Sequence, residues 1–328
     1  MPGWDIWMAE KERWENGMDK KILILSQTTK DDYALLEWQK NDVNTGITLK
    51  DCNKVLRAVR RLWIKFHLPF QYIWYGDWKN HLDEYDMIIL HGTWLAEDIP
   101  RWMQKKIKKE PQKRTPKIIW WYWNTVVEQD HPDRVSSKDC EKWSFDKKDC
   151  EIYNMKYNTQ YYFATYQLPT TKVVTDVCYL GTDGGRKEKL IALQKQLEEQ
   201  NITTDFRILV QNIPDTPEKG ITYFTEKVDY IDNLRQIGQS KAIVEILREG
   251  QSGQTLRPLE AMFHKKKLIT NDLQIVEYDY YCPENIFVLG LDDMQRMPEF
   301  LNTAYREQPP HIRNKYECKA WLERFYKE

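Results

Sequence analysis

The chain lacks paired cysteines, a dominant charge and any long apolar run, and each absence excludes a class of protein. Its six cysteines (52, 140, 150, 178, 282 and 318) are scattered over 328 residues with no Cys-x-x-Cys pair. This favours reduced thiols in a cytosolic protein over a disulfide framework or a zinc site. The 49 basic residues nearly cancel the 50 acidic ones, for a formal net charge of -1, so no global charge points to nucleic acid. No stretch is long and apolar enough to span a bilayer, and the N-terminus lacks the apolar region of a secretory leader. No repeat at solenoid spacing is visible. No DxD-type pair stands in a loop suited to a metal. Asp292-Asp293 follows a strand, its side chains point differently, and it reads as a loop or cap.

What is present suits two domains of ordinary size. Tryptophan is uneven: thirteen of the 14 lie at or before Trp143 and only Trp321 follows. Residues 1–17 are set apart as an N-terminal extension, because Met18-Asp-Lys-Lys-Ile-Leu-Ile-Leu-Ser26 reads as a start running into a strand. In the first half, strands are expected at 21–27, 71–75, 87–90, 117–123 and 142–145. Helices are expected at 50–66, 99–109 and 149–153, and 28–44 has no assignment. Tyr166-Gln-Leu-Pro-Thr-Thr171 is the expected linker. A second alternation follows: strands at 176–180, 206–210, 241–247, 267–270 and 285–289, with helices at 186–200, 230–237, 255–264, 294–305 and 314–326. Alternation of this kind predicts parallel sheets wrapped by helices, an α/β fold of two Rossmann-like domains. The expected divisions are 18–168, 169–310 and a C-terminal helix, 311–328, that crosses back to the first domain. Tyr316, Ala320, Trp321 and Phe325 give that helix an apolar face in need of a partner.

The stretch Lys241-Ala-Ile-Val-Glu-Ile-Leu247 followed by Arg248-Glu-Gly-Gln-Ser-Gly-Gln-Thr-Leu-Arg-Pro-Leu-Glu-Ala-Met262 organises the second half. Its first part is a β-branched apolar run typical of a buried parallel strand. A polar turn with Gly250 and Gly253 comes next, then a helix with Thr255 as expected N-cap and Pro258 at N3. A strand, a glycine turn and a helix N-terminus offer backbone N–H groups to a phosphate or diphosphate. Arg257 adds a fork of donors, and the Glu260 carboxylate can accept from ribose hydroxyls.

Gln251-Ser-Gly-Gln-Thr-Leu-Arg-Pro-Leu-Glu-Ala261, followed by Lys266-Lys-Leu-Ile-Thr-Asn271, resembles the donor-binding segment of GT-B glycosyltransferases of bacterial surface-polysaccharide pathways. The resemblance implies two Rossmann-like domains facing a cleft. It implies transfer of a sugar from a nucleotide-sugar to a glycan or lipid-linked saccharide acceptor, with no cofactor and no metal. It assigns the nucleotide-sugar to Ser252, Gly253, Thr255, Arg257 and Glu260, and to Gly181 and Arg186 in the turn Leu180-Gly-Thr-Asp-Gly-Gly-Arg186. Tyr230-Ile-Asp-Asn-Leu234 matches a helix that such enzymes carry just before the donor strand. The plain readings are a βα turn and an amphipathic helix. The chain departs from many GT-B enzymes in having Ser26-Gln-Thr-Thr29 where a glycine-rich loop follows strand one.

On the acceptor side, His91 follows an apolar strand directly and its ordinary pKa suits proton removal from a sugar hydroxyl. Asn124, Glu128, Asp130 and His131 follow the expected strand 117–123, and Asp146 follows the expected strand 142–145; each also reads as a turn former, cap or surface residue. Residues 101–117 hold eight Lys/Arg against only Glu110, a segment able to meet an anionic membrane face. The expected location is therefore cytoplasmic, at the inner face of the cell membrane. An epimerase of the same shape and a non-catalytic nucleotide-sugar-binding protein are the competing readings, which fold alone does not separate.

Overall fold

The structure, a computed structural model, describes residues 20–27, 33–110, 113–126, 131–249 and 253–327. Internal contacts divide the chain into two compact units between Tyr157 and Asn158.

The first unit is a six-stranded parallel sheet: β1 (Ile22–Ser26), β2 (Asn44–Ile47), β3 (Met87–His91), β4 (Lys117–Tyr122), β5 (Glu141–Ser144) and β6 (Lys156–Tyr157), in the order β2-β1-β3-β4-β5-β6. The central strands β1 and β3 read Ile-Leu-Ile-Leu-Ser and Met-Ile-Ile-Leu-His and are covered on both faces, as parallel sheets require. Trp120, Trp121, Tyr122 and Trp143 fill the space around β4 and β5. The helices are α1 (Tyr33–Lys40), α2 (Lys54–Lys65), α3 (Ile99–Lys109) and α4 (Lys147–Tyr153).

Two expectations in this unit are corrected. The strand expected at 71–75 is a 3-10 turn, Gln71–Trp74, entered through Phe70 at φ +62. The sheet's missing strand lies instead at Asn44–Ile47, between the unassigned stretch 28–44 and the helix expected from 50, in an edge position. An edge strand is only half covered, so Asn-Thr-Gly-Ile shows no apolar run. Val55, Val59 and Leu62 of α2, with Phe66 at its C-cap, form the expected stripe, but all four are exposed. The buried residues of α2 are Arg60 and Ile64.

The second unit repeats the plan with β7 (Thr175–Thr182), α5 (Lys187–Glu199), β8 (Thr204–Leu209), β9 (Ile221–Phe224), α6 (Tyr230–Gly238), β10 (Ser240–Glu245), α7 (Arg257–Phe263), β11 (Lys267–Thr270), β12 (Ile286–Val288) and α8 (Met297–Asn302). Its parallel sheet runs β12-β11-β10-β7-β8-β9. Counted within the unit this is 3-2-1-4-5-6, the order of a dinucleotide-binding Rossmann sheet. Leu190, Leu193 and Leu197 bury one face of α5 against Val177, Phe206 and Ile208. Both units therefore have the α/β class that the alternation predicts.

The expected helix 314–326 is two helices, α9 (Pro310–Lys315) and α10 (Cys318–Lys327), separated at Tyr316 and Glu317. Trp321 is fully buried, its ring 4.4 Å from Tyr161. Asn158 Nδ2 donates to Trp321 O at 3.1 Å, and Arg324 Nη2 donates to Thr159 Oγ1 at 2.6 Å. These contacts fall on residues 158–161, before the expected linker and inside the second unit. The expected extension 1–17 lies outside the described residues. Among those described, no helix is long and apolar enough to cross a membrane.

Candidate functional site

In an open parallel sheet the crevice for a ligand opens at the carboxyl ends of the strands where their order reverses. In the second unit that place lies between β7 and β10. β10 ends in Glu245, and a turn then leads to α7. Glu245 is buried, and it accepts hydrogen bonds from Thr255 and, at 2.6 Å, from Thr270 Oγ1. Burial pushes its carboxyl up, and the two hydroxyls partly offset that. Leu247 N donates to Asn271 Oδ1 at 2.7 Å. The start of the turn is thus tied to the end of β11, and its far end is tied through Thr255 to Glu245 of β10. Thr255 does not cap the helix as expected. Leu256 takes that place, and Thr255 Oγ1 is engaged by Glu245 and accepts from Arg257 N at 3.2 Å. Pro258 consequently sits at the second helical position, which it tolerates well. With seven residues, α7 supplies only a modest dipole, so charge at this end must come from side chains.

Arg257 and Glu260 form the densest polar cluster there. Glu260 is 3% exposed. Its Oε1 accepts from Tyr230 Oη at 2.8 Å and from Asn233 Nδ2 at 3.1 Å, and its Oε2 accepts from Arg257 at 2.5 Å. Arg257 also donates to Asn233 Oδ1 at 3.0 Å and to the carbonyl of Leu180 at the end of β7. Burial disfavours the Arg257 charge, but the Glu260 carboxylate outweighs it and holds the guanidinium protonated. The chain of hydroxyls continues from Tyr230 to Tyr162 at 2.7 Å and from Tyr162 to His264 Nε2 at 2.8 Å. Since an ionised carboxylate only accepts, Tyr230 donates to Glu260, Tyr162 donates to Tyr230, and His264 must donate through Nε2. Burial raises the Tyr230 phenol well above its ordinary value, with Glu260 adding to it.

A second arginine, Arg186, clasps the other lip of the reversal. It donates to Asp183 O at 3.1 Å, to Thr182 O at 2.5 Å and to Ile246 O at 3.1 Å, so it links the ends of β7 and β10. Burial lowers its pKa, Tyr179 opposes that, and Arg248 and Arg257 add to the lowering as like charges. Three guanidinium groups therefore converge on Tyr179 and the turn 181–186. Beside them opens a cleft of about 830 Å³ lined by Thr182, Gly184, Gly185, Lys187, Gln211 and Arg248, among others. Gly184 has φ +49 and Gly185 φ +78, the left-handed region that favours glycine. A Cβ at Gly184 would lie 2.7 Å from Arg248 Nε.

Of the donor residues expected from the sequence, Gly181, Arg186, Arg257 and Glu260 come together at this reversal, with Gly253 (φ +79) and Thr255 on the turn leading into α7. Ser252 lies outside the described residues. Sequence reasoning missed Asn233 and Tyr230 as partners of Glu260, Arg248 as the third cation, and Glu245 as the lock on the turn. Only the match at 230–234 pointed toward the first two. Gly184→Ala should cost about 1–2 kcal/mol of stability through the left-handed backbone and push Arg248 aside. Urea unfolding and nucleotide affinity, both measured on this variant, check the two effects.

In the first unit the strand order reverses between β1 and β3. Gln27 Nε2, just after β1, donates to Thr93 Oγ1 just after β3 at 3.0 Å. His91 ends β3, and its Nε2 is buried with no hydrogen-bond partner among the described residues. Burial lowers its pKa to about 4. Asp146 is 1% exposed and caps α4, accepting from Asp149 N at 3.0 Å. His131 begins a 3-10 turn, its Nδ1 accepting from Asp133 N at 3.3 Å. Glu128 and Asp130 lie outside the described residues, while Asn124 follows β4 in a half-buried position. His264 in the second unit is also lowered to about 4, by burial first and then by Lys266 and Arg313. Both histidines are neutral when folded and charge more easily when unfolded. Stability is therefore complete above the unfolded value near 6.5 and falls as pH drops from there toward 4. Melting temperature followed over this window should decline, with up to about two protons taken up on unfolding.

The basic segment is divided by its helix. Met103 is fully buried, Trp102 lies 5.3 Å from Tyr75, and Ile107 packs on the core. Arg101, Lys105, Lys108 and Lys109 face solvent. Lys117 pairs with Glu141 at 3.0 Å and Arg114 pairs with Asp86.

No family model and no curated protein matches the chain. Among solved structures it is similar to T4 phage BGT in complex with UDP and Mn2+, at 14% identity over 94% of this chain and 99% of that one, with a TM-score of 0.48. It is similar to WaaG, a glycosyltransferase involved in lipopolysaccharide biosynthesis, at 12% identity over 92% and 93%, TM-score 0.44. It is similar to Acinetobacter baumannii MurG at 8% identity over 93% and 99%, TM-score 0.39. Likenesses this distant assign no role to any residue.

Proposed function

We propose that the chain is a GT-B glycosyltransferase, moving a sugar from a nucleotide-sugar to a cell-surface glycan or lipid-linked saccharide acceptor without a metal. The observation that carries this reading is the convergence of Arg186, Arg248 and Arg257 beside a glycine turn, at the strand-order reversal of a Rossmann sheet. A diphosphate across the ends of β7 and β10 would meet the guanidinium groups of Arg186 and Arg248, with Arg257 held by Glu260 behind them, the kind of fixed electrostatic support that stabilises a departing oxyanion. An ionised carboxylate offers about four acceptor positions; Glu260 uses three on Tyr230, Asn233 and Arg257, which leaves one for a ribose hydroxyl.

In this reading an acceptor hydroxyl attacks the anomeric carbon, the bond from that carbon to the diphosphate oxygen breaks, and the nucleoside diphosphate departs with the electron pair. The hydroxyl proton passes to a base. His91 leads for that role because its buried Nε2 has no partner among the described residues, and an acceptor hydroxyl would supply one. Asp146 comes second, since its carboxylate is already engaged as a cap. The exposed cations of 101–117 would give electrostatic contact with an anionic membrane at the cytoplasmic face, where a lipid-linked acceptor resides.

Turnover of a UDP-, GDP- and dTDP-sugar panel, with and without EDTA, tests the reading. Release of nucleoside diphosphate from one donor, undiminished by EDTA, is the expected result. An epimerised sugar still attached to its nucleotide would identify the competing reaction, and no turnover across the panel would count against any transferase.

A further inference from the structure

An amphipathic helix normally turns its apolar stripe toward the core. The helix α2 does the reverse. Val55, Val59, Leu62 and Phe66 recur at one-face spacing and are 72%, 41%, 56% and 66% exposed. The opposite face carries the buried Arg60 and Ile64. The chain then turns through His67 and Phe70, both at positive φ, and is pinned back on the helix by Trp63 Nε1 donating to Pro69 O at 2.9 Å. Phe70, 64% exposed, extends the apolar surface. Exposed apolar groups this contiguous mark a surface made to be covered.

Charge identifies the cover. Lys54, Arg57, Arg61 and Lys65 are exposed along the same helix, and no Asp or Glu occurs from 54 to 74. Two acids from outside that span meet it: Asp51 lies 3.5 Å from Arg57 with both side chains open to solvent, and the half-buried Asp98 lies 2.8 Å from His67 Nδ1 at the turn. An apolar stripe flanked by an excess of cations, Lys54, Arg61 and Lys65 beside the Arg57–Asp51 pair, is complementary to a bilayer with anionic headgroups: aliphatic and aromatic groups enter the acyl boundary and cations meet phosphate. The α3 segment cannot supply the apolar part, because Met103 and Ile107 are turned into the core. We propose that α2 and the turn behind it are a docking face for an anionic lipid bilayer, lying in the interfacial plane. This inference is independent of the donor site.

The test is co-sedimentation of the full chain with phosphatidylcholine vesicles and with vesicles that also contain phosphatidylglycerol. Binding is expected to be at least about tenfold stronger to the anionic vesicles and to weaken with salt. Leu62→Glu combined with Phe66→Glu should lower that binding about tenfold or more, with melting temperature unchanged because both side chains are exposed. A Lys105→Glu, Lys108→Glu, Lys109→Glu protein should lose less of it than the Leu62/Phe66 variant does, because it keeps the apolar stripe. Four results would overturn the proposal: no binding of the wild type to anionic vesicles, unchanged binding of the Leu62/Phe66 variant, loss only in the α3 variant, or a wild-type dimer that the Leu62/Phe66 variant abolishes.

Discussion

Glu260→Ala is expected to destabilise the protein by about 3–5 kcal/mol, the usual result of removing one member of a buried ion pair. Arg257 would keep its charge with no carboxylate beside it, and the Tyr230 hydroxyl and Asn233 amide would lose their acceptor. The same variant should lose donor binding, because Arg257 is aimed by Glu260. Glu260→Gln separates the two consequences. It keeps an oxygen for Tyr230 while losing the charge, so the loss of stability should be smaller, about 1–3 kcal/mol, with donor affinity still reduced. Urea unfolding with titration of nucleotide on each variant checks both. A Glu260→Ala protein as stable as the wild type would contradict the described network.

His91→Ala is expected to lower turnover by about 10²–10⁴, the range for loss of a general base, while nucleotide affinity stays the same. Stability should change little, since the ring nitrogen Nε2 makes no hydrogen bond among the described residues. The pH profile adds a sharper mark. Because burial holds the imidazole near 4, kcat/KM in the wild type should fall only as pH drops through about 4, well below the ordinary histidine range. A profile breaking near 6.5, or a variant with wild-type turnover, would move the search to Asp146, Glu128 and Asp130.

Legibility in the sequence followed burial. β10 and β3 were readable because strands covered on both faces become unbroken apolar runs. The edge strand β2 and the edge strand β9, Ile221–Phe224, were not, because Asn-Thr-Gly-Ile and Ile-Thr-Tyr-Phe carry no run long enough to stand out. Glycine turns and the Arg257–Glu260 spacing are local, so half of the donor cluster could be read directly. Tyr230, Asn233 and Arg248 join it through contacts across 24 to 66 positions of sequence, which no local pattern encodes. The stripe on α2 shows the limit of periodicity: the spacing of Val55, Val59, Leu62 and Phe66 was right, but spacing does not say whether the core or the outside covers it.

The central claim is that the β7–β10 reversal holds a nucleoside diphosphate. Calorimetric titration of UDP, GDP and dTDP into the wild type and into Arg248→Gln tests it most directly, because Arg248 is exposed and its replacement leaves the fold intact. One of the three nucleotides should bind the wild type, and the variant should bind it about ten- to a hundredfold more weakly, as expected for a lost charge-assisted contact. Binding that is absent for all three, or equal in both proteins, would contradict it.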